Sequence, residues 1–127
     1  MNMSEIHPLG TDVLEILKQD HPACRLFLAR RERRRFFDES FFGEPAWDML
    51  LLLCCASAKG KGINAPVLIQ ASSAPPSVAR RWLSALEDQG LVVRGHSPQN
   101  IFFHVVELTE AGRTKMDEYL SRVASEA

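Results

Sequence analysis

The chain has 127 residues, 46% of them apolar and 24% charged, with a formal net charge of −1. That length suits one domain with a hydrophobic core of useful size, and the composition excludes an intrinsically disordered chain. The longest apolar run, Met49 to Ala56, is far short of the ~20 residues of a membrane-spanning helix, and the first residues lack the basic start and apolar stretch of a signal peptide, so a cytoplasmic location is expected.

Asp12 with Glu15 three positions on has the form of a capped helix start, and Val13, Leu14 and Leu17 share a face, predicting a helix from Asp12 to about Gln19. Pro22 suits the first turn of a second helix, because its missing N–H would be unpaired there; this one is predicted to reach Phe37. Residues 25–35 hold six Arg against one Glu, a local charge of +5, while the rest of the chain carries −6. Arg30, Arg31, Arg34 and Arg35 fall on one broad helical face. A polyanionic partner responds to such a split more than to the total charge.

Residues 39–43 break the pattern, and Pro45 opens a third helix through about Ala58, apolar nearly all round and so expected at the centre of the core. Ile63-Asn64 reads as a short extended link, followed by a short helix over Pro66 to Ser72 with Val67, Leu68 and Ala71 inward. Proline at 75 and 76 ends that helix. Pro76 starts the next, which runs to about Gln89 and stops at Gly90, with Ala79, Trp82, Leu83 and Leu86 as its buried stripe and Ser77, Arg80, Arg81 and Ser84 on other faces. Residues 91–95 and 101–108 read as two strands joined by a turn at Ser97–Asn100. Thr109 caps a last helix with Met116, Leu120 and Val123 as its apolar face.

The fold class implied is mostly α with a small β-hairpin: a winged helix-turn-helix over residues 43–127, preceded by N-terminal helices in 1–42. In that arrangement the second helix of the turn fits the major groove of duplex DNA and the hairpin lies along the backbone or minor groove. Arg80 and Arg81 could donate to guanine edges or phosphates, and Ser77, near a helix N-terminus, to a phosphate. With Ser84 they form the candidate reading face, and Arg94, Gln99 and Asn100 are the weaker candidates on the wing.

The stretch Pro75–Val92, with its Leu86-Glu87-x-x-Gly90-Leu91-Val92 helix exit, and Val105–Arg113, with Leu108-Thr109-x-x-Gly112, resemble the MarR-type winged helix-turn-helix transcription regulators over about residues 43–120. The resemblance implies a homodimer joined through its N- and C-terminal helices, a palindromic double-stranded DNA operator, and in many members release by a small aromatic effector or an oxidant. The sequence departs from the family at the wing tip. Family wings commonly carry a basic Asp-x-Arg tip, whereas residues 96–104 hold no Arg or Lys and only Arg94 precedes them. Fewer phosphate contacts mean a shallower salt dependence.

Several other features admit more than one reading. The Arg30–Arg35 run is a solvated face paired with nearby acids, a backbone contact for DNA, or a brace for the dimer. Cys24, in a first helical turn beside Arg25, has the setting of a redox-sensing thiol, but cysteine is often simply buried. Cys54 and Cys55 read as small core residues. His96 and His104 flank the hairpin without forming a metal set. The Phe36, Phe37, Phe41, Phe42 group beside Trp47 reads as core or dimer interface before it reads as an effector pocket. No Cys/His spacing for zinc, nucleophile triad, phosphate loop or paired-carboxylate site stands out, so neither metal, cofactor nor enzyme activity is expected. The alternative to a DNA-binding regulator is a winged helix used as a protein–protein interaction module.

Overall fold

A computed structural model describes the backbone of residues 11–33, 35–37, 44–97 and 100–126, and the side chains of 13–32, 35–37, 44–95 and 104–123. In chain order the elements are α1 (Thr11–Leu17), α2 (Pro22–Arg33), α3 (Pro45–Ala58), β1 (Ile63–Asn64), α4 (Ala65–Ala71), α5 (Pro76–Asp88), β2 (Val92–Ser97), β3 (Asn100–Leu108) and α6 (Glu110–Glu126). Three of the helices begin at a proline, as expected where the missing N–H costs nothing.

The central helix is α3. Residues 51–56 are all buried, and every other described element except the wing tip contributes to the same apolar cluster around it. From α1 it receives Val13 and Leu17, as expected, and Ile16 as well; from α2 it receives Ala23, Cys24 and Phe27. Gln19, just beyond α1, donates from its side-chain amide to the Cys55 carbonyl at 2.7 Å, tying the first helix to the third. The Asp12 side chain, expected as a cap, lies outside the described residues.

Helix α2 is shorter than the sequence predicts. It ends at Arg33, and residues 35–37 form a turn with Phe36 and Phe37 exposed. Leu26, Phe27 and Leu28 pack on the core, and among the described side chains of α2 no apolar one after them does.

The extended link 63–64 is a true strand. It pairs antiparallel with β3 (Ile63 opposite Val106), giving a three-stranded sheet in the order β1-β3-β2. The hairpin register sets Val92 opposite Leu108 and His96 opposite His104. Val92, Val106 and Leu108 point into the core, while Val93 and Glu107, facing the other way, are exposed.

The junction between α5 and α6 explains the two sequence motifs. Gly90 follows α5 with φ +73, the left-handed conformation that glycine takes without strain. Thr109 caps α6: its Oγ1 accepts from the Gly112 amide at 3.0 Å and donates to the Gly90 carbonyl at 2.6 Å, while its own amide donates to Leu91 O at 3.0 Å. Thr109 therefore fastens the exit of α5 to the start of α6. Met116 and Leu120 of α6 are buried as predicted, but Val123 is 38% exposed, and Tyr119 stacks edge-on against Trp47 of α3 at 5.3 Å between ring centroids. Among the described residues no helix is long and apolar enough to cross a membrane.

Candidate nucleic-acid interface

The turn between α4 and α5 is built by serines and prolines. Ser72 Oγ donates to Ile69 O at 2.7 Å and accepts from the Ala74 amide at 3.3 Å, closing the end of α4. Ser73 then takes a left-handed backbone conformation (φ +65), and Pro75 and Pro76 force the chain into a new helix. No side chain caps α5, so its first amide groups remain available to water or an anion.

On α5 the buried stripe is Ala79, Leu83 and Leu86. Trp82, expected in that stripe, is 47% exposed. It sits at the edge of the 3,4-spaced row, and the row is already filled by the three smaller residues, so the indole overhangs its flank. Ser77, Arg80, Arg81 and Ser84 are all exposed. At 100° per residue Ser77, Arg81 and Ser84 share the outward face, and Arg80 turns toward α4 and the wing. Neither Arg80 nor Arg81 forms an ion pair among the described residues.

The wing behaves differently. Arg94 donates from Nε to Glu87 at 3.0 Å and from Nη2 to Ser84 at 3.4 Å. Glu87 is half-buried against β2. Arg94 therefore braces the wing on α5 instead of reaching beyond it. Sequence spacing conceals this pair, because the two residues meet only once the chain reverses at Gly90. Gln99 and the Asn100 side chain lie outside the described residues. Replacing Glu87 with Gln should release the guanidinium of Arg94. If the wing approaches DNA, duplex binding then strengthens at low salt and the log–log salt slope steepens by about one contact, as measured by fluorescence anisotropy.

The arginine run of α2 is divided by the fold. Arg30 binds Asp48 through Nε and Glu44 through Nη1 at 2.9 Å, crossing from α2 to α3. Burial alone would weaken its hold on the proton, but hydrogen bonds and charge from Asp48 and Glu44 outweigh this and raise its pKa. Arg31 is buried, with its guanidinium 5.9 Å from the centre of the Phe27 ring. Arg35 lies beyond the helix end and pairs with Glu32 at 3.0 Å; Arg34 is outside the described residues. The single basic face expected of Arg30, Arg31, Arg34 and Arg35 is thus not assembled: two of its members turn inward to bind α3 or cover Phe27.

Cys24 is 1% exposed, and its Sγ lies 3.8 Å from the Ile16 carbonyl oxygen. A hydrogen bond from the Cys55 thiol holds its pKa below the usual thiol value, against the opposing effect of burial. Burial pushes Cys54 up to about 11. A thiol that solvent cannot reach is a poor sensor. Native Cys24 should react with a neutral disulfide reagent roughly a hundredfold more slowly than in urea, as followed by mass spectrometry of the modified peptide.

No protein-family model and no curated protein matches the chain. Solved structures do. A variant of MepR from S. aureus superposes with a TM-score of 0.55 and 16% identity, over 80% of this chain and 74% of that one. The likeness shows the fold, a winged helix. The transcriptional repressor CouR, solved on a 23-mer DNA duplex, aligns at TM-score 0.47 and 23% identity over 98% of this chain and 77% of its own. BpsR of Bordetella bronchiseptica, described for regulation of its DNA binding by 6-hydroxynicotinic acid, aligns at 0.42 and 15% over 82% and 76%. Among the described residues of this winged helix, α4 and α5 form the helix-turn-helix and β2–β3 form the wing.

Proposed function

We propose that the protein is a cytoplasmic, sequence-specific DNA-binding transcription regulator of MarR type, acting as a homodimer on a palindromic operator. The observation that carries this is the exposed face of α5, where Ser77, Arg80, Arg81 and Ser84 follow a tight turn and both arginines are uncommitted to carboxylates among the described residues. A convex basic helix with free guanidinium groups matches a major groove, whose guanine edges and flanking phosphates accept bidentate donors. Residues 1–42 and α6 supply the dimer surface in this reading: Phe36, Phe37, Tyr119 and Val123 keep large apolar area in water in the single chain.

Light scattering at micromolar concentration should give twice the chain mass. A monomer at that concentration sinks the palindromic operator. Binding to fragments of the protein's own upstream region, titrated across salt, should show a sequence-dependent component over a salt-dependent background.

The second reading, a winged helix that contacts protein and no operator, draws support from Arg94. The wing's one Arg or Lys is held by Glu87, so within the helix-turn-helix and wing only α5 offers unpaired positive charge among the described residues. Equal, weak binding to every sequence that vanishes near physiological salt would favour this reading.

A further inference from the structure

Helix α5 has two flanks beside its outward face. Arg80, Ser84 and Glu87 occupy the flank next to the wing, where Arg94 reaches Glu87 and Ser84. At 100° per residue Trp82 falls on the opposite flank, with Val78, Ala85 and Gln89. Val78 and Ala85 are half-buried and Gln89 is exposed. The indole is 47% exposed, and it is the one large apolar side chain that α5 leaves in water. Its N–H donates to no group among the described residues.

The surroundings of the indole narrow what can cover it. A stable protein partner takes about 800 Å² from each side, whereas this flank offers one ring bordered by the exposed Arg81 and Gln89. A duplex suits it better. A helix with its side chains is about 10–12 Å across, and the major groove is about 12 Å wide. With Ser77, Arg81 and Ser84 toward the bases, the two flanks of α5 therefore meet the two walls of the groove, which are sugar and phosphate. Arg80 meets one wall and Trp82 the other. An indole is apolar across its face and donates at one edge, so it can lie on deoxyribose with its N–H toward a phosphate oxygen.

Given the DNA-binding reading, on which this rests, we propose that Trp82 is a backbone anchor on the groove wall away from the wing. Its ring packs on deoxyribose and its indole N–H donates to a phosphate. The contact fixes how α5 sits across the groove and reads no base. A neutral donor releases no counterion of its own, so Trp82 adds affinity that salt does not remove. Arg80 and Trp82 thus hold one strand each, while Arg94 stays with Glu87.

The test uses the full-length protein carrying Trp47→Phe, which keeps a ring against Tyr119 and leaves Trp82 as the single tryptophan. The probes are fragments of the protein's own upstream region and an unrelated duplex of equal length, both at low salt. On saturation with duplex, Trp82 emission should be quenched and its accessibility to acrylamide should fall severalfold. In the otherwise unaltered chain, Trp82→Phe keeps a ring and loses the donor. It should weaken both duplexes by nearly the same factor, roughly three- to tenfold, with an unchanged salt slope and a parental Tm. Trp82→Ala should weaken them further. Unchanged emission at saturating duplex, or parental affinity of both variants, overturns the proposal. So does a loss confined to one sequence that disappears when thymine is replaced by uracil, which would put the indole on a thymine methyl group. If Arg80→Ala with Arg81→Ala abolishes duplex binding while Trp82 stays accessible in the bound parent, the DNA reading stands and the anchor falls. If the parent binds no duplex, both fall, and emission that shifts with protein concentration would then assign the indole to a second copy of the chain.

Discussion

Gly112→Ala should destabilise the protein by about 3 kcal/mol, roughly 10–15 °C in Tm for a chain of this size. The sign is the informative part. Alanine is the better helix former by about 1 kcal/mol, so in an ordinary helical position of α6 the substitution would stabilise. Here a Cβ would stand well inside contact distance of the Leu91 carbonyl oxygen and 3.1 Å from its carbon. Both are backbone atoms, and the Leu91 oxygen also accepts from the Thr109 amide at 3.0 Å, so neither can rotate away. The helix would have to lift off the α5–β2 junction, breaking the Thr109 clamp to Gly90. Thermal unfolding by circular dichroism checks this. A Tm equal to or above that of the parent would mean that α6 does not pack on Leu91 as described.

Arg80→Ala combined with Arg81→Ala should weaken operator binding at least a hundredfold at fixed salt. Each bidentate guanidinium on a base edge is worth about 1–3 kcal/mol of discrimination, and the wing offers little to compensate. The salt slope separates the modes of contact. If both arginines lie on phosphates, all sequences lose affinity together and the slope drops by about two contacts. If they read bases, the loss falls on the operator and spares unrelated duplexes. Thermal stability should stay near that of the parent, because both side chains are exposed and unpaired with carboxylates among the described residues. Unchanged operator affinity would remove α5 from the interface.

Much of the fold was legible because it is written in local rules. Pro22, Pro45 and Pro76 mark helix starts, Gly90 marks a helix end, and Thr109 marks a cap, each through a backbone preference that acts within a few residues. The apolar stretch of residues 51–56, set between a helix-starting Pro45 and the Gly60–Gly62 turn, reads as part of a central helix. The motif glycine at 112 is equally visible in sequence, yet its reason, the approach to Leu91, appears only in the packed structure. The α5 face was legible in the same way, since helical periodicity separates Ala79, Leu83 and Leu86 from Ser77, Arg81 and Ser84.

Trp82 shows the limit of periodicity, which sorts residues by angle and does not register how much room a core row has left. A charge pattern is still less informative about partners. Helical spacing puts Arg30 and Arg31 on one face with Arg34 and Arg35, but Arg30 finds Asp48, 18 residues on, and Arg31 covers Phe27. Glu87 and Arg94 meet only after the chain turns at Gly90. Taken by itself, the sequence determined where the chain turns, which stripes are buried and which helix faces outward, because those follow from propensity and short-range patterning. Only the tertiary structure decided which arginines remain available and that the wing is braced on α5. Those depend on side chains brought together by packing, and long flexible cations go to whichever carboxylate or ring the fold sets within reach.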